Sequence, residues 1–244
     1  MKLYLFQCGT IKTFRHLLVK DCAPDQPYEV PVPFFLIVHP RGNVLLDTGE
    51  PKWAIAVRPD PANRYLPVMT AAEYVTAQLA EKLGLRPADI THVIVSHLHS
   101  DHDGGLGEFP DAVHYLRRAE LQDGDNAARL APLRLKLCEL DDTADYDLFG
   151  DGLVRIIPTP GHTPGHQSLL LNLKHWGLTL LAVDSVYTED VLRDGGLPAV
   201  AADWDVTRRT LDRIRAMRRS GVRVLTGHDP DAWSRFKLAP DYYD

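Results

Sequence analysis

Ten residues, Ser96-His97-Leu98-His99-Ser100-Asp101-His102-Asp103-Gly104-Gly105, hold three imidazoles and a candidate carboxylate ligand in an H-x-H-x-D-H spacing. Imidazole and carboxylate together suit divalent ions such as zinc, iron or manganese, so the spacing reads as part of a metal site. In a regular strand His97 and His99 share a face while Asp101 and His102 point opposite ways. A bend at this place would let the two pairs serve two adjacent ions. The run is entered from the apolar Val93-Ile94-Val95 and left through Gly104-Gly105, as a strand passing into a turn would be.

Three further candidate ligands follow the same rule of position. His162 lies in Thr159-Pro160-Gly161-His162, Asp184 follows Leu180-Leu181-Ala182-Val183, and His228 follows Val224-Leu225-Thr226-Gly227. Each sits just past a predicted strand. Strand ends on one edge of a two-sheet stack converge on a common rim, so residues far apart in sequence can meet there.

The elements that must position these groups are legible in outline. Met1 to Cys8 reads as a first strand, and Phe34–Val38 with Asn43–Asp47 flank His39-Pro40-Arg41-Gly42 as a strand-turn-strand unit. Four prolines in residues 24–33 predict an irregular segment. Residues 50–67, with Pro51, Pro59, Pro61 and Pro67 beside Trp53 and Tyr65, predict a long binding loop with an apolar wall. Thr70-Ala71-Ala72-Glu73 is a capping box opening a helix that Gly84 stops. A strand at residues 91–96 then delivers the histidine cluster, residues 112–116 form a short strand, and residues 120–147 are polar and partly helical. Strands return at 153–157, 168–173, 178–183 and 222–226, and Asp205 caps a last helix with Leu211, Ile214 and Met217 on its apolar face. The arginines between 208 and 219 are read as its solvated face. Strands in two groups, each followed by helices, predict an α/β (α+β) fold of two packed sheets with helices outside, as one domain over residues 1–244.

At 45% hydrophobic residues the chain can bury a substantial core, and a net charge of −6 gives no footprint for nucleic acid or an anionic membrane surface. No segment reaches the length of a membrane span, and three well-separated cysteines match neither a disulfide framework nor a C-x-x-C metal site. A cytoplasmic protein with idle thiols is expected.

With the H-x-H-x-D-H cluster, Asp47-Thr48-Gly49 before it, and Pro160-Gly161-His162, Asp184 and Gly227-His228 after it, the sequence resembles the metallo-β-lactamase superfamily over nearly its whole length. Within that superfamily it is most similar to the N-acyl-homoserine lactonases that quench bacterial quorum signals. Gly161-His162-Thr163-Pro164-Gly165-His166-Gln167-Ser168, Asp184-Ser185-Val186-Tyr187-Thr188 and Gly227-His228-Asp229 carry that likeness. The resemblance implies an αββα sandwich of two mixed sheets with helices on both outer faces. It implies two divalent metal ions, zinc first among zinc, iron, cobalt and manganese. His97, His99 and His162 would hold the first ion, Asp101, His102 and His228 the second, and Asp184 would bridge them. Tyr187 would hydrogen-bond the substrate. Ser100 stands where some relatives carry a bulky aromatic against the lactone, which leaves a roomier or more polar site here. A homodimer is expected on the same grounds.

The ligand set itself carries a chemistry. Two ions about 3.5 to 4 Å apart can share a hydroxide that is nucleophilic at neutral pH. Attack on a lactone carbonyl gives an oxyanion that Tyr187 can stabilise, and Asp101 is placed to supply the proton to the leaving oxygen. Asp47 is expected to orient a ligand imidazole through its free N–H, with His166 and Asp229 in similar roles or as loop structure. The competing readings are a hydrolase of other lactones, small esters or thioesters, as in glyoxalase II, and a non-catalytic metal-binding module.

Overall fold

The computed structural model describes residues 1–58, 60, 63–122 and 124–244. Among these, the strands form two sheets. The first has seven strands in the order β4-β1-β2-β3-β5-β6-β7: Leu66–Val68, Lys2–Phe14, Pro27–His39, Gly42–Leu46, His92–Ile94, Val113–Arg117 and Lys136–Leu140. The second has five in the order β12-β11-β10-β9-β8: Arg223–Thr226, Gly177–Val183, Gln167–Leu173, Val154–Pro158 and Tyr146–Asp147. Both sheets are mixed, with parallel pairing along β3-β5-β6-β7 and at β11-β12. The helices are α1 (Val75–Leu83), α2 (Ser100–Asp103), α3 (Arg118–Leu121), α4 (Gly124–Leu130), α5 (Glu189–Leu192), α6 (Trp204–Arg219) and α7 (Pro230–Trp233).

Period-2 alternation sorts the strand side chains between layers. Leu3, Leu5, Phe35, Ile37 and Leu46 of the first sheet meet Ile156, Leu169, Leu171 and Leu181 of the second in the central core. Their neighbours Tyr4, Phe6, Phe34, Leu36 and Leu45 turn outward beneath Val75 and Leu79 of α1. On the far side Leu170, Leu180 and Ala182 face Leu211 and Ile214 of α6. Each large apolar side chain so buried contributes about 1.5 to 3 kcal/mol, and the result is the expected αββα order of layers. No helix among the described residues is long and apolar enough to cross a membrane.

Several expectations need correction. Residues 27–33 are not irregular but form the first half of β2, where only β1 pairs with them, and pairing with β3 starts at Phe35. A strand with one free flank tolerates prolines whose missing N–H falls on that flank. The first strand runs on to Phe14 through a register shift between Gln7 and Thr10. The cap of α6 is Asp203, whose Oδ1 accepts from the N–H groups of Asp205 and Val206 at 2.8 and 2.9 Å. Arg215 is not solvated but buried, donating to the carbonyls of Val191, Leu192 and Gly196. The polar stretch after Glu120 contains β7, an edge strand whose Lys136, Leu137 and Glu139 are exposed, so it lacks a buried run to announce it. The Thr70–Glu73 capping box forms, but it opens a short 3-10 turn that leads into α1, and Gly84 ends α1 in the left-handed conformation. Pro59 and Pro61 lie outside the described residues.

Candidate metal centre

The turn after β5 is locked to the loop after β3. Asp47 accepts from the Ser96 N–H at 2.7 Å and from the Ser96 hydroxyl at 2.8 Å, while the Thr48 N–H donates to the His102 carbonyl. Gly104 donates to the Gly49 carbonyl, an approach so close that a Cβ on Gly104 would stand 2.2 Å from Pro51 N. The chain can therefore bend at Ser96 and start α2 at Ser100, which sends His97 and His99 one way and Asp101 and His102 another. Glu120 braces this turn to the His162 loop, accepting from the N–H groups of Leu98 and Gly165 and the Thr163 hydroxyl.

Asp184 is delivered by strained backbone. Val183, a β-branched residue, adopts φ +49 at the end of β11, beside a register shift in the β11-β12 ladder. The strain falls on the residue immediately before the carboxylate at the centre of the site. Gly227 permits β12 to end hard against this corner, since a Cβ there would lie 2.8 Å from the Val183 carbonyl oxygen. The His228 N–H then donates to the Tyr187 carbonyl at 2.8 Å.

These elements bring all seven predicted ligand residues together in two groups. His97, His99, His162 and Asp184 form one, and Asp101, His102 and His228 the other, with donor atoms within 4.8 Å of one another in each. Asp184 joins them. Its Oδ2 lies 3.3 Å from His162 Nε2 and 3.7 Å from His97 Nε2, and its Oδ1 lies 3.2 Å from His102 Nε2 and 3.0 Å from His228 Nε2. Asp101 Oδ2 approaches His102 Nε2 at 3.3 Å and His228 Nε2 at 3.6 Å.

The first group fits a cation on its own geometry. His97 Nε2, His99 Nδ1 and His162 Nε2 lie 2.9 to 3.0 Å from one another. A neutral imidazole nitrogen carries either a proton or a lone pair, so at most two of three such contacts can be hydrogen bonds. Three lone pairs directed at one ion remove the conflict. On the side of the second group, His102 Nε2 and Asp184 Oδ1 are buried and face each other at 3.2 Å without well-formed hydrogen-bond geometry among the described residues, as two lone pairs directed at an ion would be. The donor set therefore fits two divalent metal ions.

The outward faces of the rings are held in turn. His102 Nδ1 lies 2.9 Å from Asp47 Oδ2, His97 Nδ1 3.0 Å from the Ser96 hydroxyl, His162 Nδ1 2.9 Å from the Tyr187 hydroxyl, and His228 Nδ1 2.8 Å from the Pro31 carbonyl. Asp47 thus faces a ring of the second donor group. His166 packs behind His97 with ring centroids 5.2 Å apart and shares a hydrogen bond with the Thr159 hydroxyl, touching no ligand by hydrogen bond among the described residues. Asp229 caps α7 and accepts from the Glu189 N–H, so it is loop structure.

Burial sets the electrostatics. It pushes the imidazolium forms of His97 and His166 well below the ordinary histidine range, and that of His162 down to about 4. At His102 and His228 burial acts the same way but is outweighed by Asp184 and Asp101, which raise both. For Asp184 and Asp101 burial opposes ionisation, and the facing His102 and His228 reverse it, holding both carboxyls below the usual range. Burial, then the Asp184 charge, holds the Tyr187 hydroxyl well above its ordinary value and so protonated.

Both groups open on a cavity of about 340 Å³. Ile11, Leu18, Val30, Pro67 and Val200 give it an apolar side, and Ser100, Tyr187, Trp53 and Tyr65 also line it. Trp53 and Tyr65 are about half exposed where they line it. Sequence reasoning missed two residues here. Glu50 lines the cavity, and Glu120 braces the turns; neither belongs to a spacing pattern that could have singled it out.

The comparisons agree with this geometry. The family model for the metallo-beta-lactamase superfamily matches residues 27–228. The N-acyl homoserine lactonase of Azorhizobium caulinodans is 38% identical, with 100% of this chain and 99% of that protein covered. A solved N-acyl homoserine lactone hydrolase with the product N-hexanoyl-L-homoserine at its catalytic metal centre is 26% identical, with a TM-score of 0.88 over 99% of this chain and 98% of the other. A variant of the Bacillus thuringiensis enzyme with N-decanoyl-L-homoserine at its active site has the same identity, TM-score and coverage. The chain belongs to the metallo-beta-lactamase superfamily and, within it, to the family of the N-acyl homoserine lactonases.

Proposed function

We propose that the protein is a metal-dependent lactonase that hydrolyses the ester bond of N-acyl homoserine lactones to the open N-acyl homoserines. The observation that carries this reading is the pair of donor groups joined by Asp184 at the base of a partly apolar cavity, with the Tyr187 hydroxyl beside them.

His97, His99 and His162 would hold one ion, Asp101, His102 and His228 the other, and Asp184 both. When bound, the ions supply Lewis acidity and a water made nucleophilic at neutral pH. Zinc suits imidazole-rich sites of this kind, and iron, cobalt and manganese accept the same donors. Tyr187, kept protonated by its burial, donates to the oxygen that gains charge as the lactone carbonyl becomes tetrahedral. Asp101 holds and passes the proton that the leaving ring oxygen requires. Ser100 faces the lactone across the cavity, and the apolar side receives the acyl chain.

One domain carries all of these groups. The free state of Cys8, Cys22 and Cys138 supports a reducing, cytoplasmic setting. The exposed Trp53 and Tyr65 support burial of the mouth loop against a second copy.

The direct test is turnover by metal-loaded protein across a panel of N-acyl homoserine lactones, simple lactones and a glutathione thioester. Ring opening of the N-acyl homoserine lactones in preference to the others is expected. Turnover of the thioester with none of the lactones would overturn the reading.

A further inference from the structure

The cavity wall holds one carboxylate that belongs to neither donor group. Glu50 follows the Asp47-Thr48-Gly49 turn and lines the cavity together with Asp101, His228 and Tyr187. The residue is 2% exposed, yet no hydrogen bond reaches its carboxylate among the described residues. Its electrostatic neighbours are Asp101, His102 and His228, which sets it beside the second donor group but outside it. Lys52, two positions on, does not answer its charge, because it is exposed and paired with Glu108 at 2.6 Å.

The Glu50 carboxylate opens on the cavity, so with no donor from its own chain among the described residues it is left to water or to a ligand for its partner. Such groups persist where a ligand completes them. The substrate class supplies a narrow choice. An N-acyl homoserine lactone with an unsubstituted acyl chain has three acceptor oxygens and one hydrogen-bond donor, the amide N–H next to the ring. Tyr187 and the metal ions would serve the acceptors, which leaves the N–H in need of an acceptor from the wall.

We infer that Glu50 is a specificity-determining residue whose carboxylate accepts the amide N–H of the substrate, an assignment that rests on the proposed lactonase function. Without bound cations, burial and the nearby Asp101 push its carboxyl up to about 8. A glutamate side chain offers an acceptor oxygen in either protonation state. The role is recognition: Glu50 selects lactones that carry a donor beside the ring over lactones of equal length that carry none.

The test compares two substrates of equal size, an N-acyl homoserine lactone and the analogue in which CH2 replaces the amide N–H. The wild type should prefer the amide by about 10- to 100-fold in kcat/KM, mostly through KM, as for a buried partner left without its hydrogen bond. In Glu50→Met that ratio should collapse towards one with two ions per chain still present by elemental analysis. Glu50→Gln, which keeps an acceptor oxygen in the same shape, should retain an intermediate ratio. Equal wild-type rates on both compounds would overturn the role of Glu50 while the lactonase function stands. An undiminished ratio in Glu50→Met would overturn it too. Loss of metal in both variants, with turnover of the two substrates falling in step, would assign Glu50 to the metal centre instead. If the wild type opens neither ring, the proposed function fails and the role of Glu50 fails with it.

Discussion

The Tyr187 hydroxyl lies 2.9 Å from Nδ1 of His162, whose Nε2 faces the first donor group. A ring that offers its Nε2 lone pair to an ion carries its proton on Nδ1 and donates it to the tyrosine oxygen. The hydroxyl hydrogen of Tyr187 is thereby left free for the cavity. Under the proposed function, one contact would fix the tautomer of a ligand and leave a donor for the substrate.

Tyr187→Phe removes that donor without touching a lone pair of the metal site. Turnover of an N-acyl homoserine lactone should fall by about 100-fold, the loss typical of one oxyanion donor. The change should appear in kcat, with metal content unaltered by elemental analysis. An unchanged rate would remove Tyr187 from the mechanism.

Acid should strip the two ions in order. The raised values of His102 and His228 mean that both bind protons at higher pH than an ordinary histidine, so protons compete for the second donor group first as the pH falls through that range. Two members of the first group, His97 and His162, behave oppositely. Burial keeps His97 neutral and holds His162 neutral down to about 4. Dialysis at stepwise lower pH should give a plateau of one ion per chain before both are lost, and activity should vanish with the first loss. Calorimetry in buffers of different ionisation enthalpy should show proton release concentrated in one of the two binding events. Simultaneous loss of both ions would contradict this ordering.

Arg215 should matter to stability far from the chemistry. Its guanidinium crosses from α6 to the carbonyls of Leu192 at 3.3 Å, Val191 at 3.0 Å and Gly196 at 2.6 Å, fastening the segment that leads to Val200 on the cavity wall. Arg215→Met leaves those carbonyls without their donor and should cost about 3 kcal/mol. For a chain of this size the thermal midpoint should drop by roughly 10 °C by circular dichroism. Arg215→Lys should recover part of the loss, since a point charge reaches fewer carbonyls than a planar fork. A midpoint unchanged in Arg215→Met would show that the clamp carries no load.

The residues of the two donor groups were legible because their chemistry is declared by residue type and their positions by the strands before them. His162, Asp184 and His228 all follow apolar runs, and a strand end is the one place where a sequence says both that a side chain is held and that it is near a rim. The proline-bearing half of β2 was not legible, because a proline forbids a central strand and permits an edge, and only the length of β3 decides which of these residues 27–33 meet. Arg215 was hidden by its neighbours: on a helix rich in arginines nothing local marks the one that turns inward. Glu50 was hidden for the opposite reason. A single glutamate after a turn has no pattern at all, and its meaning arises only from the residues that surround it in space.

The four imidazoles whose outward nitrogens have named partners are not equally open to change. His97, His102 and His162 lean on the side chains of Ser96, Asp47 and Tyr187, so a single codon can retune each of them. His228 leans on the main-chain carbonyl of Pro31, which any replacement at position 31 would still present. Variation within such a lineage can therefore drift in the basicity of three of these rings while the fourth stays pinned by the polypeptide itself.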